Sequence, residues 1–348
     1  MKNSVIVLNW NGWRDTVECL ETLFHLDCPD SRVVVCDNAS TDESLTNIRK
    51  WAAGYLSVEC ANPALSHLTS PPFRKPIWYR ELTRHEAETE RAAAHEERLI
   101  LIRNEANLGF AAGNNVGLRY ALGDTDCQYF WILNNDTVVE PDALSAIVRF
   151  FESRPGLGLC GSVNRSYHAP YKIQVRGGRL LNRWTGRTHK SKSVSAGTAF
   201  APARIDYVEG SSMVANRCFL EQVGLMDESY FLYCEELDWA MRARGKLTLG
   251  YAPESVVYHK EGASIGSNSD RSKRSLLSER YLSRSRVLFM RRYFPWALLT
   301  TIGSMYLAAA YQFWRGDLDR AKTTLVWAVK GLFARSVIRH DPHMVARH

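Results

Sequence analysis

Tyr129-Phe130-Trp131-Ile132-Leu133 is followed directly by Asn134-Asn135-Asp136. Five consecutive apolar residues, aromatic or branched, are typical of a strand that is buried on both faces. Strands of this kind belong to parallel sheets, and ligands of parallel sheets bind at the carboxyl ends of the strands. The stretch therefore predicts a buried strand that ends at a polar binding site.

Three further apolar runs end in the same way. They are 5–8 before Asn-Trp-Asn-Gly, 32–36 before Asp-Asn, and 99–102 before the small, polar run 107–115. Between the first two runs, apolar residues from Trp13 to Phe24 repeat at helical spacing. Ser40 and Glu43 have the capping-box pattern that opens a second helix. Alternating strands and helices predict an α/β fold with a Rossmann-like, mostly parallel sheet flanked by helices.

The second half of the chain continues this pattern less regularly. Helices are predicted over 141–151, 216–223 and 235–242, and short strands over 247–251 and 255–258, the last ending at His259. Residues 160–205 are rich in Gly, Arg and Ser, and we interpret them as irregular with a hairpin near 177–178. Residues 53–98 contain four prolines and a charged stretch, and we interpret them as an insertion with a loop and one exposed helix.

Charge divides the chain into a body and a tail. The whole chain of 348 residues carries +7, but residues 271–348 contain 15 Lys and Arg against 4 Asp and Glu, so the tail carries +11 and residues 1–270 carry −4. We expect one domain over 1–270 and a basic, partly apolar helical extension over 271–348. The acidic body argues against nucleic acid as a partner, while the tail suits an anionic surface such as lipid headgroups.

Residues 293–314 contain no charged side chain. A stretch of this length could cross a bilayer. Because Pro, Gly, Thr, Ser and Gln dilute this stretch, we expect helices that pack on the domain or lie in the membrane interface.

No signal-peptide pattern precedes the first strand, and the eight cysteines contain no CxxC pair. We therefore expect free thiols, no zinc site, and a cytoplasmic protein peripheral to the inner face of the plasma membrane.

Several acidic or imidazole side chains follow predicted strands or open helices: Asp37, Asp136, the cluster Glu235–Asp238 and His259. In a doubly wound sheet they could converge on one cleft. An aspartate at a strand end is more often a turn former, so the argument depends on their joint placement.

The ordered motifs resemble those of the family-2 inverting glycosyltransferases, and the nearest branch is rhamnosyltransferase-like. They are Val-Ile-Val-Leu-Asn-Trp-Asn-Gly at 5–12, Cys-Asp-Asn-Ala-Ser-Thr-Asp at 36–42, Asn-Leu-Gly-Phe-Ala-Ala-Gly-Asn-Asn at 107–115, Leu-Asn-Asn-Asp-Thr at 133–137, Glu-Glu-Leu-Asp-Trp-Ala-Met-Arg at 235–242, and His259. The resemblance covers about residues 4–292 and implies a GT-A fold that binds a nucleotide-diphosphate sugar.

The resemblance also implies a donor site. Asp37 would bind the base or ribose, with Asn9 and Asn11 beside it. The other implied donor-binding residues are Asn38, Asn107, Gly109, Asn114 and Asn135. For 107–115 the alternative is a helix start with small packing residues.

The run Leu-Asn-Asn-Asp-Thr occupies the place of the family's Asp-x-Asp motif, which holds a divalent cation against the diphosphate. Asp136 is then the implied carboxylate ligand of Mg²⁺ or Mn²⁺, and Asn134 offers only a neutral oxygen. His259 matches a family position near the metal, although a packed or capping histidine is an equal alternative.

Two acids are candidates for the base that deprotonates the acceptor hydroxyl. Glu236 aligns with the family's base, which is usually Asp. Asp238 is the competitor, but it lies four residues before Arg242, so an ion pair is its simplest use. Glu235 would be a structural or acceptor-binding acid.

We therefore expect an inverting glycosyltransferase that moves a sugar, in the nearest branch L-rhamnose, from a dTDP- or UDP-sugar to a saccharide or lipid-linked saccharide of cell-surface polysaccharide. A nucleotidyltransferase is a weaker alternative, since only Arg14 lies near the first loop. An oxidoreductase lacks its GxGxxG motif. A non-catalytic nucleotide-sugar-binding protein stays open because of Asn134 and Glu236.

Overall fold

The computed structural model describes residues 2–58, 60–89, 96–191, 205–261 and 274–333. The strands are β1 (Lys2–Asn9), β2 (Ser31–Asp37), β3 (Tyr79–Thr83), β4 (Leu99–Arg103), β5 (Cys127–Asn134), β6 (Thr137–Val139), β7 (Leu157–Ser166), β8 (Ile173–Arg176), β9 (Gly178–Leu181), β10 (Thr188–Lys190), β11 (Tyr207–Val208), β12 (Ser212–Asn216) and β13 (Thr248–His259). The helices are α1 (Trp13–Phe24), α2 (Ser44–Ala53), α3 (Arg84–Thr89), α4 (Gly109–Leu122), α5 (Ala143–Glu152), α6 (Arg217–Val223), α7 (Glu235–Ala243), α8 (Leu276–Tyr293), α9 (Leu298–Trp314) and α10 (Leu318–Phe333).

Within these ranges ten strands form one central sheet, with β3-β4-β2-β1-β5-β12-β7-β13-β6 in order and β8 paired to β7. The half from β3 to β5 is parallel throughout. The other half alternates, since β12 runs antiparallel to β5 and β7, while β13 runs parallel to β7. The predicted α/β sheet is confirmed, and β9, β10 and β11 form a separate small sheet beside it.

The core lies on both faces of this sheet because side chains alternate along each strand. Val5 and Val7 of β1 pack into the layer that includes residues of α1, α2 and α5, whereas Ile6 packs into the layer of α4 and α6. Burial on both faces explains why β1, β2 and β4 are continuous apolar runs.

The structure differs from the sequence prediction in four places. The described part of 160–205, which we expected to be irregular with a hairpin near 177–178, contains most of β7 and all of β8, β9 and β10, and β8 pairs with β7 while β9 pairs with β10 and β11. The insertion 53–98 supplies the edge strand β3 as well as the short helix α3, because Tyr79–Thr83 pairs in register with β4. The helix after β2 begins at Ser44 with Glu43 as its cap, so Ser40 is not the N-cap. The two short strands predicted over 247–258 are one strand, β13, with a register break between Ala252 and Val256.

The C-terminal region is helical, as predicted, through α8, α9 and α10. Among the described residues, no helix combines the length and the apolar character that crossing a bilayer requires. All eight cysteines lie in the described ranges and are free thiols.

Candidate active site

A cavity of about 560 Å³ lies where β1 and β5 end, between the central sheet, the small sheet and helix α8. Asn134, Asn135 and Asp136 line it from β5, and Glu235 and Glu236 line it from the start of α7. Further lining residues include Trp10, Asn38, Asn107, Gly109, Arg179, Arg187, Glu209, Phe231, Tyr233, His259, Tyr281 and Arg286. Of the side chains expected to converge on one cleft, Asp136, Glu235, Glu236 and His259 line this cavity, whereas Asp37 and Asp238 do not.

Asp136 and His259 lie side by side in the lining of this cavity. Because β13 pairs antiparallel with β6, with His259 opposite Thr137, the imidazole reaches the aspartate one residue away. Asp136 Oδ1 lies 3.1 Å from His259 Nε2. Burial alone would raise the pKa of Asp136, but His259 and Lys260 lower it. Burial would lower the pKa of His259, and Asp136 raises it instead. Each side chain of the pair therefore favours the charged form of the other.

An ionic network around Lys260 supports the Asp136–His259 pair. The Lys260 backbone N–H donates to the Asp136 carbonyl at 3.0 Å, and Lys260 Nζ lies 2.5 Å from both Asp15 Oδ1 and Glu18 Oε2. Tyr167 donates its hydroxyl to Glu18 Oε1 at 2.6 Å. These contacts fix the backbone on both sides of the Asp136–His259 pair.

The residues at this point fit one divalent cation whose other ligands come from a substrate. Asp136 offers carboxylate oxygen and His259 offers imidazole nitrogen. Asn134, whose Nδ2 lies 3.5 Å from His259 Nε2, also offers an amide oxygen. The described residues contain no group of three or more His, Cys, Asp or Glu side chains that could hold a metal. Mg²⁺ or Mn²⁺ commonly needs only one or two carboxylates together with phosphate oxygens. The donor set therefore suits a cation that is shared with a diphosphate.

Glu236 begins α7 and points into the same cavity. Its Oε2 atom is buried, and no hydrogen-bond partner for it exists in the part of the chain that the structure describes. Burial raises the pKa of Glu236 to about 7, with Glu209 adding to the rise and Arg179 opposing it. A carboxyl group with a pKa near neutrality and an unused oxygen is suited to accept a proton at physiological pH.

The backbone before Glu236 is strained. Tyr233 and Cys234 have φ values of 67° and 70°, the left-handed region that side chains other than glycine rarely adopt. Such conformations persist where the surrounding structure enforces them, and they cluster at functional sites. Here they start α7 abruptly, so that two consecutive glutamates enter the cavity wall.

Glu235 is also buried, and both burial and Glu236 raise its pKa well above the ordinary value. On the opposite wall Arg179 Nε lies 2.5 Å from Glu209 Oε2. The sequence analysis did not single out this ion pair. The glycines at 177 and 178 and the acid that precedes β12 were the only local signals of it.

Asp238 lies outside the cavity, which corrects its placement among the catalytic candidates. Its side chain is fully buried, with Arg242 Nε 2.7 Å from Oδ2 and Arg292 Nη1 2.8 Å from Oδ1. Tyr293 donates its hydroxyl to Oδ1 at 2.6 Å. The ion pair with Arg242 expected from the i,i+4 spacing is present, and with these partners Asp238 serves to anchor α7 to α8.

Asp37, Asn9 and Asn11, for which we expect contacts with the nucleotide, do not line this cavity. Asp37 is 2% exposed, accepts from Asn9 Nδ2 at 2.7 Å and accepts from Ser40 Oγ at 2.6 Å. Asn11 Oδ1 accepts from the Thr41 backbone N–H at 2.7 Å. These bonds tie the loop after β1 to the loop after β2, so the three residues shape the end of the sheet beside Asn38.

The remaining implied donor residues divide into two groups. Asn38, Asn107, Gly109 and Asn135 line the cavity, as expected. Asn114 does not, since its Nδ2 donates to the Phe110 carbonyl at 2.9 Å inside α4.

Gly109 is needed for packing rather than for approach by a ligand. At its φ of +78°, a Cβ would lie 2.3 Å from the carbonyl oxygen of Phe231. Phe110 donates its N–H to that same carbonyl at 2.7 Å. The start of α4 is therefore clamped to the segment that leads into α7, and the two halves of the cavity are joined.

Comparison with known proteins finds similar glycosyltransferases. Residues 82–203 match the family described as Glycosyl transferase family 2. The low-salt glycan biosynthesis hexosyltransferase Agl10 of Haloferax volcanii is 28% identical over 150 residues, which are 40% of this chain and 44% of that protein. The rhamnosyltransferase WbbL of Escherichia coli K12 is 25% identical over 197 residues, which are 53% of this chain and 74% of that protein.

A solved structure of GalNAc-T7 with UDP, GalNAc and Mn²⁺ has a TM-score of 0.55 and 14% identity, covering 84% of this chain and 48% of that one. At this identity the likeness concerns the fold, which is the GT-A arrangement. The chain spans less than half the length of Agl10. The family match over residues 82–203, the two relatives and the fold agree with the order of the family-2 glycosyltransferase motifs in this chain.

Proposed function

We propose that this protein is an inverting glycosyltransferase that moves one sugar from a nucleotide-diphosphate donor to an acceptor hydroxyl. The observation that carries the proposal is the shared cavity. The Asp136–His259 pair lies at the end of the sheet, and Glu236, with its unpartnered oxygen, faces the same space. One side suits a cation with a diphosphate, and the other suits a proton acceptor.

The donor side would hold the diphosphate through Mg²⁺ or Mn²⁺. Asp136, His259 and the amide oxygen of Asn134 would bind the cation, which when bound neutralises the charge that develops on the departing diphosphate. Asn38 and Asn107 line the neighbouring wall, where their amides can hydrogen-bond the nucleotide.

Glu236 would act as the general base. The acceptor hydroxyl gives its proton to the carboxylate while its oxygen bonds to the anomeric carbon, and the bond from that carbon to the phosphate oxygen breaks with its electron pair leaving on the diphosphate. A single displacement of this kind inverts the configuration at the anomeric carbon. The pKa of about 7 keeps Glu236 substantially ionised, and yet basic, near neutral pH.

For the substrates, the names of the relatives support a hexose-type sugar, and the name of the rhamnosyltransferase WbbL supports rhamnose. The motif resemblance implies dTDP-rhamnose as its donor. UDP-sugars are the alternative donors. The acceptor would be a saccharide or lipid-linked saccharide of cell-surface polysaccharide, modified at the cytoplasmic face of the plasma membrane. The excess of Lys and Arg in residues 271–348 is consistent with an acceptor that lies on an anionic membrane.

Calorimetric titration with dTDP-rhamnose and UDP-sugars, with and without Mn²⁺, tests the donor side. We expect Mn²⁺ to strengthen binding of one donor, and Asp136→Asn to remove that effect of Mn²⁺. Asp126→Asn is the matched control, because that side chain is 75% exposed and distant from the cavity lining. If no donor binds to the wild type, or if Asp136→Asn keeps the full Mn²⁺ dependence, the proposed donor site is wrong. Binding without transfer to any acceptor would favour a non-catalytic sugar-nucleotide-binding protein.

A further inference from the structure

Helix α9 presents an uncharged, largely apolar face to solvent. Its most exposed large side chains are Leu299 (84%), Leu307 (75%), Phe313 (66%) and Trp314 (81%). Together with Gly303, Tyr306 and Ala310 they recur every three or four residues, so they form one stripe along the helix. The opposite face, with Thr301, Met305 and Ala309, is buried against the rest of the protein. We call the exposed stripe the α9 face.

Two tryptophans extend the α9 face at its N-terminal end. Trp296 precedes the helix, and the ring of Trp184 meets it edge-on with centroids 4.6 Å apart. Both rings are more than half exposed. Tyr306 and Tyr311 are also exposed on α9. Tryptophan and tyrosine are the residues that concentrate where a membrane meets water, since each has an apolar ring and a polar group.

Charge surrounds the α9 face without entering it. No charged residue occurs between Arg292 and Arg315, whereas residues 274–333 as a whole contain ten Lys and Arg against three Asp and Glu. Arg315, Lys322 and Lys330 are exposed on the adjoining segment and on α10. An apolar helix face bordered by cations is complementary to an anionic lipid surface, in which a helix lies parallel to the bilayer plane.

The α9 face is joined to the cavity by two arginines that line it. Arg187 donates to the Ser304 carbonyl at 3.1 Å, and Arg286 donates to Ser304 Oγ at 2.6 Å. Ser304 lies in the middle of α9. A surface that holds α9 therefore also fixes the orientation of this wall of the cavity.

We infer that the α9 face, with Trp184 and Trp296, docks onto an anionic lipid bilayer and holds the cavity beside it. This inference deepens the proposed function, because it requires that the acceptor be anchored in the same bilayer. The partner is the lipid surface, and the helix rests in its interface without crossing it.

Flotation of the full chain with vesicles tests the docking directly. We expect the wild type to float with vesicles of equal phosphatidylglycerol and phosphatidylcholine and to bind pure phosphatidylcholine at least about ten-fold more weakly. The combined variant Leu299→Ser, Leu307→Ser and Phe313→Ser should lose binding to the anionic vesicles by a similar factor. The combined variant Tyr55→Ser and Tyr171→Ser is the control, because both rings are 86% exposed elsewhere.

Donor titration and thermal melting of each variant verify that it is folded. Lys322→Gln with Lys330→Gln provides a second variant, which should weaken binding to the anionic vesicles only. Flotation of the triple variant equal to that of the wild type would overturn the inference, as would a wild type that floats with neither vesicle. Sedimentation showing a dimer that the triple variant dissociates would assign the face to a second copy of this chain and would also overturn it.

The two proposals fail in distinguishable ways. If docking is wrong and the enzyme is right, transfer to a water-soluble acceptor proceeds without flotation. If the proposed transfer is wrong, flotation persists while no sugar nucleotide binds. If both hold, the triple variant should lose transfer to a lipid-linked acceptor in vesicles and keep transfer to the water-soluble one.

Discussion

Glu236 and Asp238 lie two residues apart on helix α7, both withdrawn from water, yet their surroundings are opposite. Asp238 faces α8, where Arg242, Arg292 and Tyr293 give it two ion pairs and a hydroxyl bond. Glu236 faces the cavity, where its Oε2 has no partner within the described ranges. Burial raises the pKa of Glu236 to about 7.

The difference shows that burial of an acid does not by itself indicate catalysis. A buried carboxylate whose oxygens are all bonded stabilises the fold, and removing its charge breaks the ion pairs that it forms. A buried carboxylate with an unpaired oxygen destabilises the fold. Such groups occur at sites where a side chain must accept a proton. The face of α7 that carries Asp238 therefore stabilises the fold, and the face that carries Glu236 is suited to catalysis.

The largest effect on stability should come from Asp238→Asn. The amide removes the charge that faces Arg242 and Arg292, so the free energy of unfolding should fall by about 3–5 kcal/mol. Urea denaturation followed by circular dichroism measures this change. Asp319→Asn, an exposed acid of α10, is the control and should have little effect. A fall below about 1 kcal/mol, the range of surface pairs, would contradict the structural role of Asp238.

Glu236→Gln should change the free energy of unfolding in the opposite direction and stabilise the protein above neutral pH. The folded pKa of about 7 lies above the ordinary 4.5, so the folded state holds its proton more tightly. The wild type should therefore lose stability as pH rises from about 4.5 to 7, whereas glutamine does not ionise. At pH 8 the variant should be more stable by up to about 3 kcal/mol, and at pH 4 the two should be alike. Melting curves at both pH values measure this, and a variant less stable at pH 8 would contradict the account.

Glu209→Gln should have a smaller effect, a shift in the pH dependence of kcat/KM. Glu209 raises the pKa of Glu236, and Arg179 lowers it. The base must be ionised, so activity falls as pH drops through that pKa. Removing the Glu209 charge should move this acid limb of kcat/KM to lower pH by about one unit or less. Arg179→Gln should move it upward, and Glu254→Gln, 76% exposed elsewhere, should not move it. Equal shifts in all three variants would remove Glu209 and Arg179 from any influence on the base.

The sequence predicted those features that depend on neighbouring residues, namely buried strands, a helix start and an ion pair within one helix. The apolar runs of β1, β2, β4 and β5 mark strands because both of their faces are buried, and the polar residues after β5 line the cavity as a consequence of strand direction. The spacing of Asp238 and Arg242 predicted their ion pair. The helix α7 was also predicted from its acidic first turn.

What the sequence could not predict depends on contacts between distant segments. Tyr79–Thr83 is too short and polar to be recognised as a strand, and its pairing with β4 decides its structure. Asp37 has the pattern of an exposed ligand, but Asn9 and Ser40 close over it. The Arg179–Glu209 pair and the wall formed by Arg286 come from parts of the chain with no motif, so they become visible only when the hairpin and α8 are folded against the sheet.

The most direct test of the central claim is the rate of sugar transfer by Glu236→Gln beside its donor affinity. The glutamine has the same shape but does not accept the proton, so transfer should fall by about 10²–10⁴-fold, the contribution of a positioned base. Donor affinity should be unchanged, because Glu236 is not among the residues proposed to bind the cation or the nucleotide. Asp238→Asn, assayed under conditions where it is folded, should keep most of its turnover. Normal transfer by Glu236→Gln together with loss in folded Asp238→Asn would contradict the account and move the base to the other face of α7.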